Sequence, residues 1–285
     1  MKEYKESVSP KVGELFRLRK EKNLLFFEKA AEAESEARAQ KNNYYLAEVL
    51  LEKALMCYHH ENDLDSTLSY MEQARELVGE DPVAYKTMSE YYRISGVINF
   101  FKGNVFKASE LYDAGIRLLE SLEKTDYHDL EILGSIYFNS TNLYRNIPRN
   151  HVRLSKMYKA YELFKKINYE LGIARCLNSI AIYDDRYTEK IESEPLFLEA
   201  IEIFKHNNDE RGCAVVKSNM GSMYCKNNRF NEGIKHLLEA YEMLKKIGHS
   251  SFIATCARQI ATAYREHNEP RTALKYLQEA EAAVE

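Results

Sequence analysis

Along most of the chain, apolar residues recur every three or four positions, as in LNSIAIY (177–183) and SNMGSMY (218–224). That is the spacing of a helix with one buried face. Short stretches rich in Asn, Asp, Gly or Pro interrupt these runs: HENDLD, FKGNVF, RNIPRN, KNNRF and EHNEP. Such residues favour turns. The pattern predicts pairs of helices joined by tight turns, with Pro270 in the first turn of the last helix and Pro148 between two others.

The pairs repeat. Small residues stand 40 apart at Thr141, Ala181, Gly221 and Ala261, and again at Ala160, Ala200, Ala240 and Ala280. Large apolar residues follow the second series by four: Phe164, Phe204, Leu244 and Val284. Tyrosines follow the first by three at Tyr144, Tyr224 and Tyr264, while the fourth slot holds Asp184 beside Tyr183. Upstream, Gly96, Ala108, Tyr112 and Gly115 keep the offsets of Gly221, Gly233, Leu237 and Ala240. Leu55, Tyr58, Leu64 and Ala74 make a weaker first copy, and an insertion near LEKTDYH stretches the second. A glycine inside a helix costs about 1 kcal/mol of propensity against alanine. Gly221 therefore signals close approach of two helices rather than a preference of its own strand of sequence.

MGSMY followed by Gly233, Leu237 and Ala240, and IATAY followed by Ala273, Leu277 and Ala280, resemble the tetratricopeptide repeat. The resemblance covers residues 44–285 as six repeats, approximately 44–80, 82–124, 127–167, 169–207, 209–247 and 249–285. It is closest to a long-period variant found in bacterial regulatory proteins, since the usual period is about 34 residues. The extra residues lie between repeats, in KKINYELG and KHNNDERG, and the tryptophan column is absent. The fold implied is all-α: an α-solenoid, a right-handed superhelix of about six helical hairpins. Residues 1–43 would supply an N-terminal tail and a capping helix, FFEKAAEAESEARAQ, with Phe26, Phe27, Ala30 and Ala33 on one side.

Composition narrows the function. With 45% hydrophobic and 29% charged residues the chain is a folded globular protein, and 11 Gly and 5 Pro are too few for tight-turn β architecture. A net charge of −4 speaks against a nucleic-acid binder. No apolar run is long enough for a membrane span, and MKEYKESVSPKVGEL has no signal core, so a cytoplasmic location is expected. Cys57, Cys176, Cys213, Cys225 and Cys256 are odd in number and scattered, which suits a reducing compartment without disulfides. Neither metal-ligand spacing nor a phosphate loop, GxSxG or HExxH occurs. His59–His60 and Asp184–Asp185 are adjacent and diverge on a helix. No catalytic residue, cofactor or metal is expected.

In the family the concave face is lined by the first helix of each repeat. Carried onto this sequence, those slots hold Glu52, His59 and His60; Arg93, Val97, Phe100 and Phe101; Asn139, Asn142, Arg145 and Asn146. They continue with Arg175, Asn178, Asp185 and Arg186; Ser218, Asn219, Ser222 and Lys226; Arg258, Gln259, Thr262 and Arg265. Amide side chains both donate and accept, which suits an extended peptide backbone, and Arg suits a carboxylate. The row reads as a groove for a peptide or an acidic chain terminus, with Phe100 and Phe101 offering an apolar contact. Asn139 and Asn219 have a second reading, as consensus residues that cap neighbouring turns. The carboxylate clamp of co-chaperone repeats is matched only loosely.

The chain stops inside LKYLQEAEAAVE, with Leu274, Leu277 and Val284 on a face that normally receives another helix. Either an output domain follows in a longer protein, or the face pairs with a second copy. The leading expectation is a non-enzymatic, regulatory protein- or peptide-binding module of a signalling protein. The alternative is a self-associating scaffold that acts through the last helix or the convex face.

Overall fold

A computed structural model describes residues 10–61, 63–79, 81–147, 151–187 and 193–283, with the backbone alone for 184–187. The described residues hold fourteen α-helices and no strand. The chain divides into two compact units, residues 1–143 and 144–285.

The first unit comprises α1 (Pro10–Lys20), α2 (Phe26–Ala39), α3 (Asn43–Met56), α4 (Leu64–Val78), α5 (Tyr85–Phe101), α6 (Val105–Glu120) and α7 (Tyr127–Ser140). A π-helical turn, Cys57–Glu61, prolongs α3. Two helices, rather than one, precede α3: in α1, Val12, Leu15 and Leu18 lie on one face and are buried. Helices α3 with α4 and α5 with α6 form hairpins, and α1, α3, α5 and α7 lie side by side in one row. Asn42, Asp63 and Asp126 accept backbone N–H bonds at the starts of α3, α4 and α7, and Asp126 and Asp129 cap reciprocally.

The second unit comprises α8 (His151–Lys166), α9 (Glu170–Tyr187), α10 (Ser193–His206), α11 (Glu210–Lys226), α12 (Phe230–Ile247), α13 (Ser250–Glu266) and α14 (Pro270–Ala282). Its hairpins are α9–α10, α11–α12 and α13–α14, with α9, α11 and α13 forming a second row. Asn168, Asn208, Asn228 and Asn268 sit in left-handed conformation, φ 52° to 62°, where each helix gives way to the next. Asn tolerates that region better than other side chains.

The small-residue columns occupy the contacts that the sequence pattern predicts. Ala160, Ala200, Ala240 and Ala280 are all 2% exposed or less, and Phe164, Phe204 and Leu244 pack beside them. A Cβ on Gly221 would lie 2.7 Å from the carbonyl oxygen of Gly233, and one on Gly233 would lie 2.6 Å from that of Gly221. Two glycines thus let the backbones of α11 and α12 touch, an approach that no side chain permits.

Candidate functional site

The first-helix row of the second unit carries a ladder of side-chain amides. Asn219 on α11 donates through Nδ2 to Asn178 Oδ1 on α9 at 3.0 Å. Gln259 on α13 donates through Nε2 to Asn219 Oδ1 at 3.1 Å. Ser218, 4% exposed, donates its hydroxyl to Gln259 Oε1. The steps between rungs, 41 and 40 residues, follow from the repeat period. Asn219 therefore caps no turn; it bridges three helices. After these bonds Asn178 keeps both its amide hydrogens, and Asn219 and Gln259 keep one each. The neighbouring hydroxyls are engaged within their own helices: Ser222 to the Ser218 carbonyl at 3.1 Å and Thr262 to the Arg258 carbonyl at 2.9 Å.

Cations border the ladder. Arg175, Lys226, Arg258 and Arg265 are exposed. None of the four forms an ion pair among the described residues, and the Arg258 guanidinium donates to Thr255 Oγ1, at 3.3 Å. Some cations elsewhere in this unit are paired, Arg229 with Glu194 and Glu232, Lys217 with Glu239 and Lys205 with Glu202, while Lys246 and Arg271 are exposed and without an ion pair among the described residues. Of the remaining sequence candidates, Arg186 has its side chain outside the described residues, as has Asp185.

Asn139 and Asn142 belong to the first unit and Arg145 to the second. Asn139 is the penultimate residue of α7. Asn142 lies on a 3-10 turn, Thr141–Tyr144, and Arg145 beyond it, exposed. The α-helix ends at Ser140 and gives way to this 3-10 turn, with Asn146-Ile147-Pro148 following in sequence, where a proline disfavours helical conformation at Ile147. Phe100 is half-buried, whereas Phe101 is 74% exposed and stands at the α5–α6 turn with Phe106, 80% exposed. On α14, Leu274 and Leu277 are 56% and 43% exposed, and Val284 lies outside the described residues.

The first unit's row is of another character. Arg19 Nε on α1 donates to Glu52 Oε2 on α3 at 2.7 Å, with both residues 5% exposed. Arg93 Nε donates to Glu90 Oε2 on the same helix at 2.6 Å, and His128 of α7 lies 3.8 Å from Glu90 and 4.0 Å from Glu131. Burial works against ionised Glu90, but Arg93 and His128 outweigh it and hold the carboxyl below its usual range. Glu131 and Glu90 raise His128 against the opposing effect of burial. Glu48, one turn before Glu52, has no ion pair among the described residues. Burial, reinforced by Glu52, pushes it up to about 7. His59 on the π-turn keeps an edge in solvent, yet the protein around it, with Arg93 and Arg19, lowers it to about 4. The pattern of repeats marks Glu52, Arg93 and His59 as row positions but gives no sign of Arg19, which lies ahead of the repeats.

The five cysteines are free, and burial pushes their thiols up, Cys176 to about 12, which leaves them protonated and unreactive. Among the described residues no group of His, Cys, Asp or Glu is placed to hold a metal ion, and no helix is long and apolar enough to cross a membrane.

Rows of antiparallel helical hairpins, with small residues at the hairpin contacts and polar side chains along the first helices, define an α-helical repeat protein. Residues 212–285 match the tetratricopeptide repeat family, and the described helical hairpins upstream follow the same architecture. No curated protein matches the sequence. Among solved structures, it is similar to the apo form of RapI, with a TM-score of 0.76 at 12% identity over 96% of this chain and 97% of that one. The quorum sensor NprR of B. thuringiensis, in its apo form, gives 0.65 at 14% identity, covering 96% of this chain and 75% of that one. NprR in complex with its cognate peptide NprX gives 0.69 at 14% identity, covering 96% and 77%. At these identities the likeness is one of fold.

Proposed function

We propose that this protein is a non-catalytic regulator of a bacterial signalling system that binds a short peptide along the row formed by α9, α11 and α13. One observation carries the reading: the Asn178–Asn219–Gln259 ladder, whose spare N–H groups can donate to carbonyls of an extended chain laid across the three helices. The likeness in fold to NprR, which forms a complex with its cognate peptide NprX, supports it. Binding would bridge three helices already held in register, and an output domain or separate partner in the cytoplasm would read the resulting stiffening. The test is an array of random hexapeptides probed with the purified chain. A discrete subset should be retained, and Asn219→Ala should lose that subset by about tenfold or more while keeping wild-type helicity. Retention unchanged in Asn219→Ala sinks the proposal.

A second reading rests on a different observation. Leu274 and Leu277 are neighbours on one face of α14 and both are exposed. Self-association through that face would give a mass that rises with concentration in light scattering and returns to that of a monomer in Leu277→Asp. A monomer at all concentrations removes this reading.

A further inference from the structure

We infer that the peptide read by the second unit is acidic, carrying two carboxylate side chains two residues apart that face Lys226 and Arg265. The inference rests on the peptide-binding reading above and adds the ligand's charge, spacing and length. The geometry starts from the ladder, which fixes α9, α11 and α13 in register through Asn178, Asn219 and Gln259. At about 1.5 Å rise per residue, Lys226 lies roughly 10 Å beyond Asn219 along α11, and Arg265 roughly 9 Å beyond Gln259 along α13. Arg175 and Arg258 precede the ladder by about 4.5 Å and 1.5 Å on the same measure. Two cationic edges therefore border a neutral, hydrogen-bonding centre.

All four cations are exposed and none is ion-paired among the described residues. Among the row positions named above, these four positive charges meet no carboxylate whose side chain is described, and Glu266, directly after Arg265, is the one acid beside them on α13. A peptide carbonyl needs no such surplus; carboxylates do. Adjacent helices pack about 8–10 Å apart, so three rungs span roughly 16–20 Å, which an extended chain covers with about six residues. In such a chain, side chains i and i+2 point to the same edge about 7 Å apart. Lys226 and Arg265, on neighbouring helices, match that separation within the reach of their flexible stems. Arg175 and Arg258, two helices apart, match a spacing of about six residues and would meet the peptide's outer positions.

The test uses three pools of hexapeptides on the full chain, read by competition against a labelled peptide retained from the hexapeptide array. One is blocked at both termini and holds Glu at positions 3 and 5, with the others drawn from Gly, Ala, Ser and Leu. The second replaces both Glu by Gln. The third is the Gln pool with a free C-terminal carboxylate. The Glu pool should bind about tenfold or more better than the Gln pool at 0.05 M salt, and the gain should shrink toward about twofold at 0.5 M as the charges are screened. Lys226→Gln with Arg265→Gln, both exposed and thus tolerated by the fold, should erase the gain of the Glu pool over the Gln pool. Equal binding of the Glu and Gln pools overturns the inference and leaves peptide binding standing. A gain confined to the free-terminus pool also overturns it, since the carboxylate recognised would then be the chain end. Failure of every pool to compete, with the labelled peptide itself insensitive to Asn219→Ala, removes the peptide reading and this inference with it.

Discussion

The two units line the same row of a repeat with opposite chemistry. In the first, the charges neutralise one another: Arg19 with Glu52, Arg93 with Glu90, and His128 between two carboxylates. Arg19, Glu52 and Glu90 are withdrawn from water. In the second, the centre is a ladder of neutral amides and the bordering cations stay exposed and unpaired. A row whose charges are mutually satisfied holds helices together, and a row with spare donors and uncompensated cations is built to receive something. The same backbone repeat thus carries mutually neutralised charges in one unit and, on the reading proposed above, a peptide row in the other, a division set by side-chain identity.

The strongest way to break this contrast is Glu52→Ala. It leaves the Arg19 guanidinium buried without a counter-charge, which costs about 3–5 kcal/mol. The double change Arg19→Met with Glu52→Leu should recover most of that loss, because burying an ion pair gains little over apolar packing. Chemical denaturation followed by circular dichroism reads both. A loss of less than about 1 kcal/mol in Glu52→Ala would mean that the pair is not a structural tie. By contrast, Asn219→Ala, which cuts the ladder, should cost only about 1 kcal/mol, the usual worth of half-exposed neutral hydrogen bonds.

Next in size is a comparison of helix contacts. Gly96 in α5 faces the buried ring of Tyr112, where an added Cβ would come within 2.5 Å of side-chain rather than backbone atoms. Gly221 faces the backbone of α12. Gly221→Ala should therefore destabilise by about 1–3 kcal/mol despite its better helix propensity, and by more than Gly96→Ala. The reverse order in thermal unfolding would show that the glycine pair is not what brings α11 and α12 together.

These two tests also divide what the sequence shows from what it hides. The hairpins are legible because each needs small residues at fixed offsets, and four copies of a column at Thr141, Ala181, Gly221 and Ala261 cannot be mistaken for local preference. Asn178, Asn219 and Gln259 are legible as row positions. Their bonding to one another is not, since it depends on the register of three helices to within an ångström. The Arg19–Glu52 pair leaves no periodic trace: Arg19 sits on a helix outside the repeats, 33 residues from its partner. The early end of α7, which places Asn142 and Arg145 beyond its last α-helical turn, departs from the repeat pattern and is not signalled by it.

The smallest effect expected is also the most specific to the first unit. Glu48 has no ion pair among the described residues, and burial, reinforced by Glu52, raises it from an ordinary carboxylate value to about 7. Its folded-state pKa exceeds its unfolded one, so between about pH 4.5 and 7 the folded chain holds a proton that the unfolded chain releases. Ionising Glu48 in place therefore opposes folding, and its contribution to stability falls as pH rises through that window. Glu48 is partly exposed, and water screens the effect to about 1–2 kcal/mol. Glu48→Gln should match the native chain at pH 4.5 and exceed its stability by that amount at pH 8, in urea unfolding run across the range. His128 and other groups titrate in both chains and cancel in the difference. Equal stability at both pH values would mean that Glu48 is ionised freely, and that the first row tolerates an unpaired charge as readily as the second.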